Sequence, residues 1–229
     1  MILGKGRNAM MILGNGVYNL TDAAKLTGLR RARVKQWFEG RTSDPVPRPV
    51  FKSDYESVNG DLAISFLDLV ELNIGGQLRE KGLTLRFIRR IHAELQKEWN
   101  TKHPFCRKQF RTDGRRLFAC DLDDNERGTV VDVDSRQQLF DTIVLPFLAK
   151  IDYDSATSVA RKWYIAPSIV VDPTICFGKP IVEATRISTN VLATSYYANG
   201  QDAEMVARWF NVKEEQVLAA VSFENKLAA

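Results

Sequence analysis

Arg30, Arg31, Arg33, Lys35 and Gln36 crowd into one short stretch, and all five side chains are hydrogen-bond donors of the kind that read DNA. A guanidinium forks onto the acceptor pair of guanine, and a carboxamide matches adenine. The remaining cations hold phosphate, and Arg48 and Lys52, further along, would add backbone contacts of the same kind. Those two equally suit a loop that only needs to stay soluble.

Other chemistries lack their residues. No GxxxxGK[ST], GxGxxG or HExxH run is present, so no nucleotide or zinc motif is found. The three cysteines, Cys106, Cys120 and Cys176, are odd in number and form no CxxC, which argues against a disulfide framework and fits a reducing cytoplasm. The two histidines, His92 and His103, read as structural residues. No catalytic set, metal site or cofactor is expected, and the chain is read as a non-enzyme. No apolar run reaches the ~18 residues of a membrane span.

Charge supports the DNA reading by its position. The chain of 229 residues carries a net charge of +4. Residues 1–60 hold 10 Lys/Arg against 5 Asp/Glu, residues 61–164 hold 17 against 16, and residues 165–229 hold 5 against 7. The positive excess therefore sits at the front, where a phosphate-backbone binder would keep it.

Two helices must position those donors. Thr21 is a candidate N-cap with Asp22 behind it, Ala23 and Leu26 share a face, and Gly28 ends the first helix. A second helix over 30–39 stops at Gly40. Val34 with Trp37 or Phe38 would pack on Ala23, Leu26 and Leu29. That leaves Arg30, Arg31, Arg33 and Gln36 outward and Lys35 at the margin, the layout of a helix-turn-helix, or of a plain αα-hairpin with a basic face. Pro45, Pro47 and Pro49 then force an extended connection. Residues 50–52 and 62–64 suggest a small hairpin around Asn59-Gly60, in the place of a wing. The run resembles the winged helix-turn-helix of MerR-type regulators.

Ser65 with Asp68 marks a capping box for a helix with Leu67, Val70, Ile74 and Leu78 at helical spacing, ending at Gly82. Thr84 caps another, with Phe87, Ile91, Leu95 and Trp99 inward and Arg86, Arg89, Arg90 and Lys97 on a solvated face. Asp113-Gly114 predicts a hairpin joining 105–111 to 115–121. A strand over 130–133 and a helix capped by Ser135 and Gln138, running through Phe140 and Val144, complete the middle. From Ile169 onward two short strands and three short helices are expected, the helices starting near Asn190, after Asp202 and near Glu214. Met-Ile-Leu-Gly occurs at both 1–4 and 11–14, which suggests a start at Met10 or Met11 and a loose segment before it.

The rear segment carries the more specific resemblance. Asp172-Pro173, Gly178-Lys179-Pro180-Ile181-Val182, Thr185-Arg186-Ile187 and the run from Asn199 to Glu204 resemble a small bacterial domain of unknown function. That domain is found in VapB-type antitoxins encoded beside PIN-like ribonuclease toxins. The front helices also look like the long, two-domain form of that family. One departure stands out: the family has Gly before Thr-Arg, often after a basic residue, whereas this chain has Ala184 after Glu183.

The resemblance implies a mainly α protein with small β-hairpins. Residues 1–100 would form a winged helix-turn-helix with following helices, 101–164 a connecting region, and 165–229 a homeodomain-like three-helix domain with a short hairpin. It implies an antitoxin that represses its own operon as a homodimer on operator DNA and neutralises a PIN-like ribonuclease toxin. Lys179 and Arg186 are the cations suited to enter that toxin's metal-binding carboxylates, while Arg186 suits equally well the plainer task of tying down the hairpin by hydrogen bonds. The last helix, with Glu214, Glu215 and Glu224, is a poor DNA reader. The rival reading is a stand-alone MerR-like regulator whose rear half senses a small ligand. An RNA-binding module lacks any RNP-type aromatic strand.

Overall fold

The computed structural model describes residues 15–40, 48–57, 60–119 and 140–228. It is mainly helical, with two small antiparallel sheets. Pro45, Pro47, Asn59, Cys120, the strand expected over 130–133, the Ser135/Gln138 cap and residues 1–10 all lie outside the described residues.

Strand β1 (Tyr18–Asn19) pairs with β2 (Ala63–Ile64), Tyr18 facing Ile64. Helix α1 (Leu20–Thr27) follows at once. Its cap is Asn19 rather than Thr21: the Asn19 carboxamide oxygen accepts from the Thr21 and Asp22 amides, each at 2.8 Å. Asn19 has the extended backbone a cap requires, and Thr21 lies already inside the first turn. Helix α2 (Arg31–Glu39) buries Val34, Trp37 and Phe38.

Among the described residues, 50–52 and 62–64 do not pair as the expected wing. The amides of Val50 and Phe51 both donate to the carbonyl of Trp37, at 2.7 and 3.1 Å, so this segment folds back on the end of α2. Both side chains are buried, which the alternating faces of a two-stranded ribbon would forbid. The 62–64 segment therefore finds its partner in β1.

Helix α3 (Phe66–Glu80) starts with the expected reciprocal box: the Asp68 amide donates to Ser65 Oγ and the Ser65 amide to Asp68 Oδ2. Helix α4 (Leu85–Glu98) is capped by Thr84 and buries Phe87, Ile91 and Leu95 as the spacing predicts. After a 3₁₀ turn (Pro104–Cys106) comes α5 (Phe110–Ala119), where a hairpin was expected. Gly114 is not a turn residue but a notch. A Cβ there would stand 2.8 Å from the rings of both Phe110 and Phe140, which meet edge-on at 5.5 Å. The demand for aromatic packing overrides the turn signal of Asp-Gly.

A π-helical turn (Phe140–Val144) leads into α6 (Leu145–Leu148). A four-stranded antiparallel meander follows in the order β3 (Ile151–Tyr153), β4 (Ala160–Ala166), β5 (Ile169–Val171), β6 (Pro180–Val182). The two expected rear strands, β5 and β6, are its second half, and the 164/165 division falls inside β4. The three rear helices are α7 (Thr189–Ala198), α8 (Ala203–Phe210) and α9 (Glu214–Ala228).

Two apolar cores meet at β5. The larger joins α1 to α5 with Trp163 and Val171. The smaller joins Ile169 and Val182 to Leu192, Val206, Val217 and Phe223. Leu26 of α1 packs against both, so the front helices and the rear unit share a wall.

Candidate functional site

The basic helix comes first. Arg30, Arg31 and Lys35 are exposed, while Arg33 and Gln36 are half-buried. Lys35 forms an exposed i,i+4 pair with Glu39 at 3.8 Å, a contact worth only ~0.3–0.5 kcal/mol. Nothing acidic stands in the first turn of α2, and Arg30, at its cap, makes no side-chain capping bond. The positive end of the helix dipole is therefore crowded with Arg30, Arg31 and Arg33, where cations destabilise a helix and an anion is favoured. This placement does not stabilise α2. A shallow groove of 270 Å³ between α2 and the β1–β2 ribbon is lined by Arg31 and Lys35, but also by Glu39 and Asp61.

Arg48 and Lys52 are exposed, but not on a wing. The carbonyls of Arg48 and Pro49 accept from the Arg89 guanidinium, at 2.8 and 3.1 Å. Arg89, expected on a plain solvated face, thus anchors the segment that carries Arg48.

Lys179 and Arg186 lie at the rear, on either side of β6. Both are exposed, and among the described residues neither side chain has a hydrogen bond. The 182–187 turn is held instead by Thr185, whose Oγ1 donates to the Val182 carbonyl and accepts from the Ile187 amide. Ala184 has φ +65° and Arg186 φ +61°, the left-handed region. The glycine that the resemblance implies before Thr-Arg would suit that backbone, and Ala184 adopts it with a Cβ in place.

Beside β6 the loop of Phe177 and Gly178 docks on the front of the molecule. The Val17 amide donates to the Phe177 carbonyl at 3.1 Å, and the Tyr18 hydroxyl to that of Gly178 at 2.8 Å. Burial pushes the Tyr18 phenol far above its ordinary range, so it remains a donor. Phe177 itself is 60% exposed, as are Trp209 (59%) and Tyr197 (50%) on α8 and α7.

Sequence reasoning missed a third constellation. Asp54, Asp68, Glu71, His92 and His103 come together at the edge of the larger core, with Asp54 half-buried and the other four buried. His92 Nε2 donates to Glu71 Oε2 at 2.7 Å, with both side chains buried. His103 Nε2 donates to Asp54 Oδ1 at 3.0 Å, and Lys102 Nζ to the same oxygen at 2.6 Å. Burial disfavours the His103 cation, but the Asp54 hydrogen bond and the Glu71 carboxylate 3.5 Å away overcome it and raise the pKa to about 10. Burial likewise opposes ionisation of Asp54 and Glu71, and their histidine partners hold both below the usual carboxylate range. Asp68, where burial dominates and Asp54 repels, is raised. Only the Asp68/Glu71 pair, three apart on α3, was visible as a spacing; the rest are joined by tertiary packing.

A cleft of 420 Å³ opens on this cluster. Asn15, Asp54, Lys102 and His103 line its front wall, and Asp154 and Arg161 its rear wall.

Residues 169–223 match the family described as a protein of unknown function, DUF433. That match takes in β5, β6 and the three rear helices up to Phe223. Across nearly the whole molecule, the crystal structure of Rv2018 from Mycobacterium tuberculosis has the same fold. It covers 89% of this chain and 96% of its own, with a TM-score of 0.71 and 18% sequence identity. No curated protein matches the chain in sequence. Among the described residues no helix is long and apolar enough to cross a membrane.

Proposed function

We propose that the protein is an autoregulating antitoxin of a type II toxin–antitoxin system. Its front helices bind operator DNA, with the protein as a homodimer, and its rear unit binds a PIN-like ribonuclease toxin. The observation that carries the DNA half is the crowding of Arg30, Arg31 and Arg33 at the N-terminus of α2, with Lys35 exposed one turn on. That arrangement costs the helix stability and suits a phosphate or a base edge.

The toxin half rests on the resemblance of the rear segment to the domain found in VapB-type antitoxins. The exposed, unbonded Lys179 and Arg186 support it, as do the exposed aromatics of the rear unit. Large exposed aromatics are the residues that anchor protein partners. Arg186 or Lys179 would enter the toxin's carboxylates and replace its metal ion electrostatically.

Purification of the tagged chain from its native host, with the co-purifying protein identified by mass spectrometry, tests this reading. A stoichiometric PIN-like partner is the expected result. Toxin inhibition that is unchanged in a folded Arg186→Ala, Lys179→Ala double variant would end the insertion mechanism.

The cleft between front and rear favours a second reading, a stand-alone regulator that senses a small polar ligand there. A preparation that has no partner but still binds its own promoter would select it.

A further inference from the structure

A single apolar side chain on a protein surface is ordinary. Phe177 differs in its backbone. Cys176, Phe177 and Gly178 have φ values of +49°, +56° and +83°, three left-handed residues in succession. Glycine enters that region freely, but Cys176 and Phe177 carry a Cβ and are strained there.

The turn is held in this form from both sides. Within it, the Gly178 amide donates to the Ile175 carbonyl at 2.9 Å and the Lys179 amide to that of Cys176 at 3.1 Å. From the front, the Val17 amide and the Tyr18 hydroxyl hold the carbonyls of Phe177 and Gly178. The space beneath is filled: a Cβ on Gly178 would stand 2.9 Å from the Tyr18 ring and 3.2 Å from the Gly16 Cα. The backbone thus fixes the Phe177 ring in place without burying it. Strain of this kind persists where the surrounding structure enforces it, and it clusters where a ligand is held.

The neighbours of the ring suit one kind of partner. Val17, bonded to Phe177 through its amide, is itself 37% exposed. Lys179 lies two residues on. Cys176 Sγ donates to the Arg186 carbonyl at 3.5 Å, so the turn that carries Arg186 lies against the turn that carries Phe177. The acids nearby are engaged or remote. Asp172 is buried and pairs with Lys162 at 3.0 Å, and the Glu183 amide is bonded to the Ser168 carbonyl, at the other end of β6. An apolar ring beside two exposed cations is complementary to an apolar pocket beside carboxylates.

We propose that Phe177 is the anchor by which this chain docks on its protein partner. Its ring fills an apolar pocket of the PIN-like ribonuclease, next to the carboxylates that Lys179 and Arg186 engage. The inference rests on the toxin reading and deepens it, by moving the centre of the interface from the cations to the ring. A large side chain held ready before docking loses little freedom when it binds. Val17 brings the front of the molecule to the edge of the same interface.

The test uses the full chain in its native host, with p-benzoylphenylalanine in place of Phe177. Irradiation should join this position to the PIN-like ribonuclease. A ribonuclease that co-purifies with the chain but forms no adduct at 177 would overturn the anchor and leave the toxin reading standing. An adduct at 177 to DNA or to a second copy of this chain would also overturn the anchor, and a chain that co-purifies with no such ribonuclease would overturn both. Phe177→Ala should keep the melting temperature of the free chain and weaken the complex at least ~tenfold. A ring that serves only the fold would give the reverse, a lower melting temperature with the affinity intact, and that result would overturn the proposal. The cross-link decides the question even if the alanine variant does not fold.

Discussion

The Tyr18 hydroxyl donates to the Gly178 carbonyl across 160 residues of sequence, and a Cβ on Gly178 would lie 2.3 Å from that hydroxyl oxygen. Gly178 also has φ +83°. The front strand and the rear loop are thus fitted to each other at a point where neither can grow. Gly178→Ala should cost ~2–4 kcal/mol, from the clash together with the left-handed backbone. Tyr18→Phe loses one hydrogen bond and should cost ~1 kcal/mol. Urea denaturation of both variants and of the double variant checks the pair. Removing the hydroxyl should relieve part of the Gly178→Ala clash, so the double variant must lose less than the sum of the two singles.

Gly114→Ala sets helix propensity against packing. Alanine gains up to ~1 kcal/mol in a helix interior. Its Cβ would stand 2.8 Å from two fully buried rings, Phe110 and Phe140, and overpacking costs ~1–3 kcal/mol. The clash should win, with a lower denaturation midpoint. A stabilised variant would return Gly114 to the role of a mere helix residue.

Ala184→Gly should do the opposite. Ala184 is exposed and held at φ +65° by the Thr185 turn. Glycine removes ~1–2 kcal/mol of left-handed strain and gives back ~0.5–1 kcal/mol in chain entropy. A modest rise in melting temperature is expected, and a fall would mean that the turn relaxes without cost in the native chain.

His103 makes stability depend on pH. Its folded pKa of about 10 lies above the ~6.5 of an unfolded histidine. Its contribution is therefore complete below ~6.5 and is lost as pH rises toward 10, at up to ~1.4 kcal/mol per unit. The groups around it are Asp54, Asp68, Glu71, His92, Lys102 and Cys106. Burial also pushes the Cys106 thiol up, so that residue adds a loss of the same sign only above ~8.5. Denaturation at pH 6 to 8 reads this slope below the range of the thiol. His103→Gln should flatten that limb, and an unchanged slope would remove His103 as its source.

On DNA, Arg31→Ala and Lys35→Ala should each weaken operator binding, and each should reduce the log–log salt slope by ~0.9 if the lost contact is to phosphate. Both side chains are exposed, so folding should be unaffected. The same affinity and slope as wild type would move the DNA contact off α2.

Local rules explain what was legible. The Ser65/Asp68 box, the Thr84 cap, the periods of α3 and α4 and the three rear helices depend on residues within a turn or two of each other, and sequence shows them directly. The basic face of α2 was legible for the same reason, although Arg33 and Gln36 prove half-buried. The wing and the Asp113-Gly114 hairpin were misread because aromatic packing claimed both segments: Phe51 packs on Trp37 and His92, and Phe110 on Phe105 and Phe140.

The sequence by itself determined the helices, their caps and the concentration of positive charge at the front. Only the tertiary structure decided that β4 joins the middle to the rear, that Tyr18 meets Gly178, and that Asp54, Glu71 and His103 share one buried space. The physical reason is range. Hydrogen bonds within a helix act between near neighbours in the chain. Burial brings together whichever side chains fit, and charges left inside must then find one another.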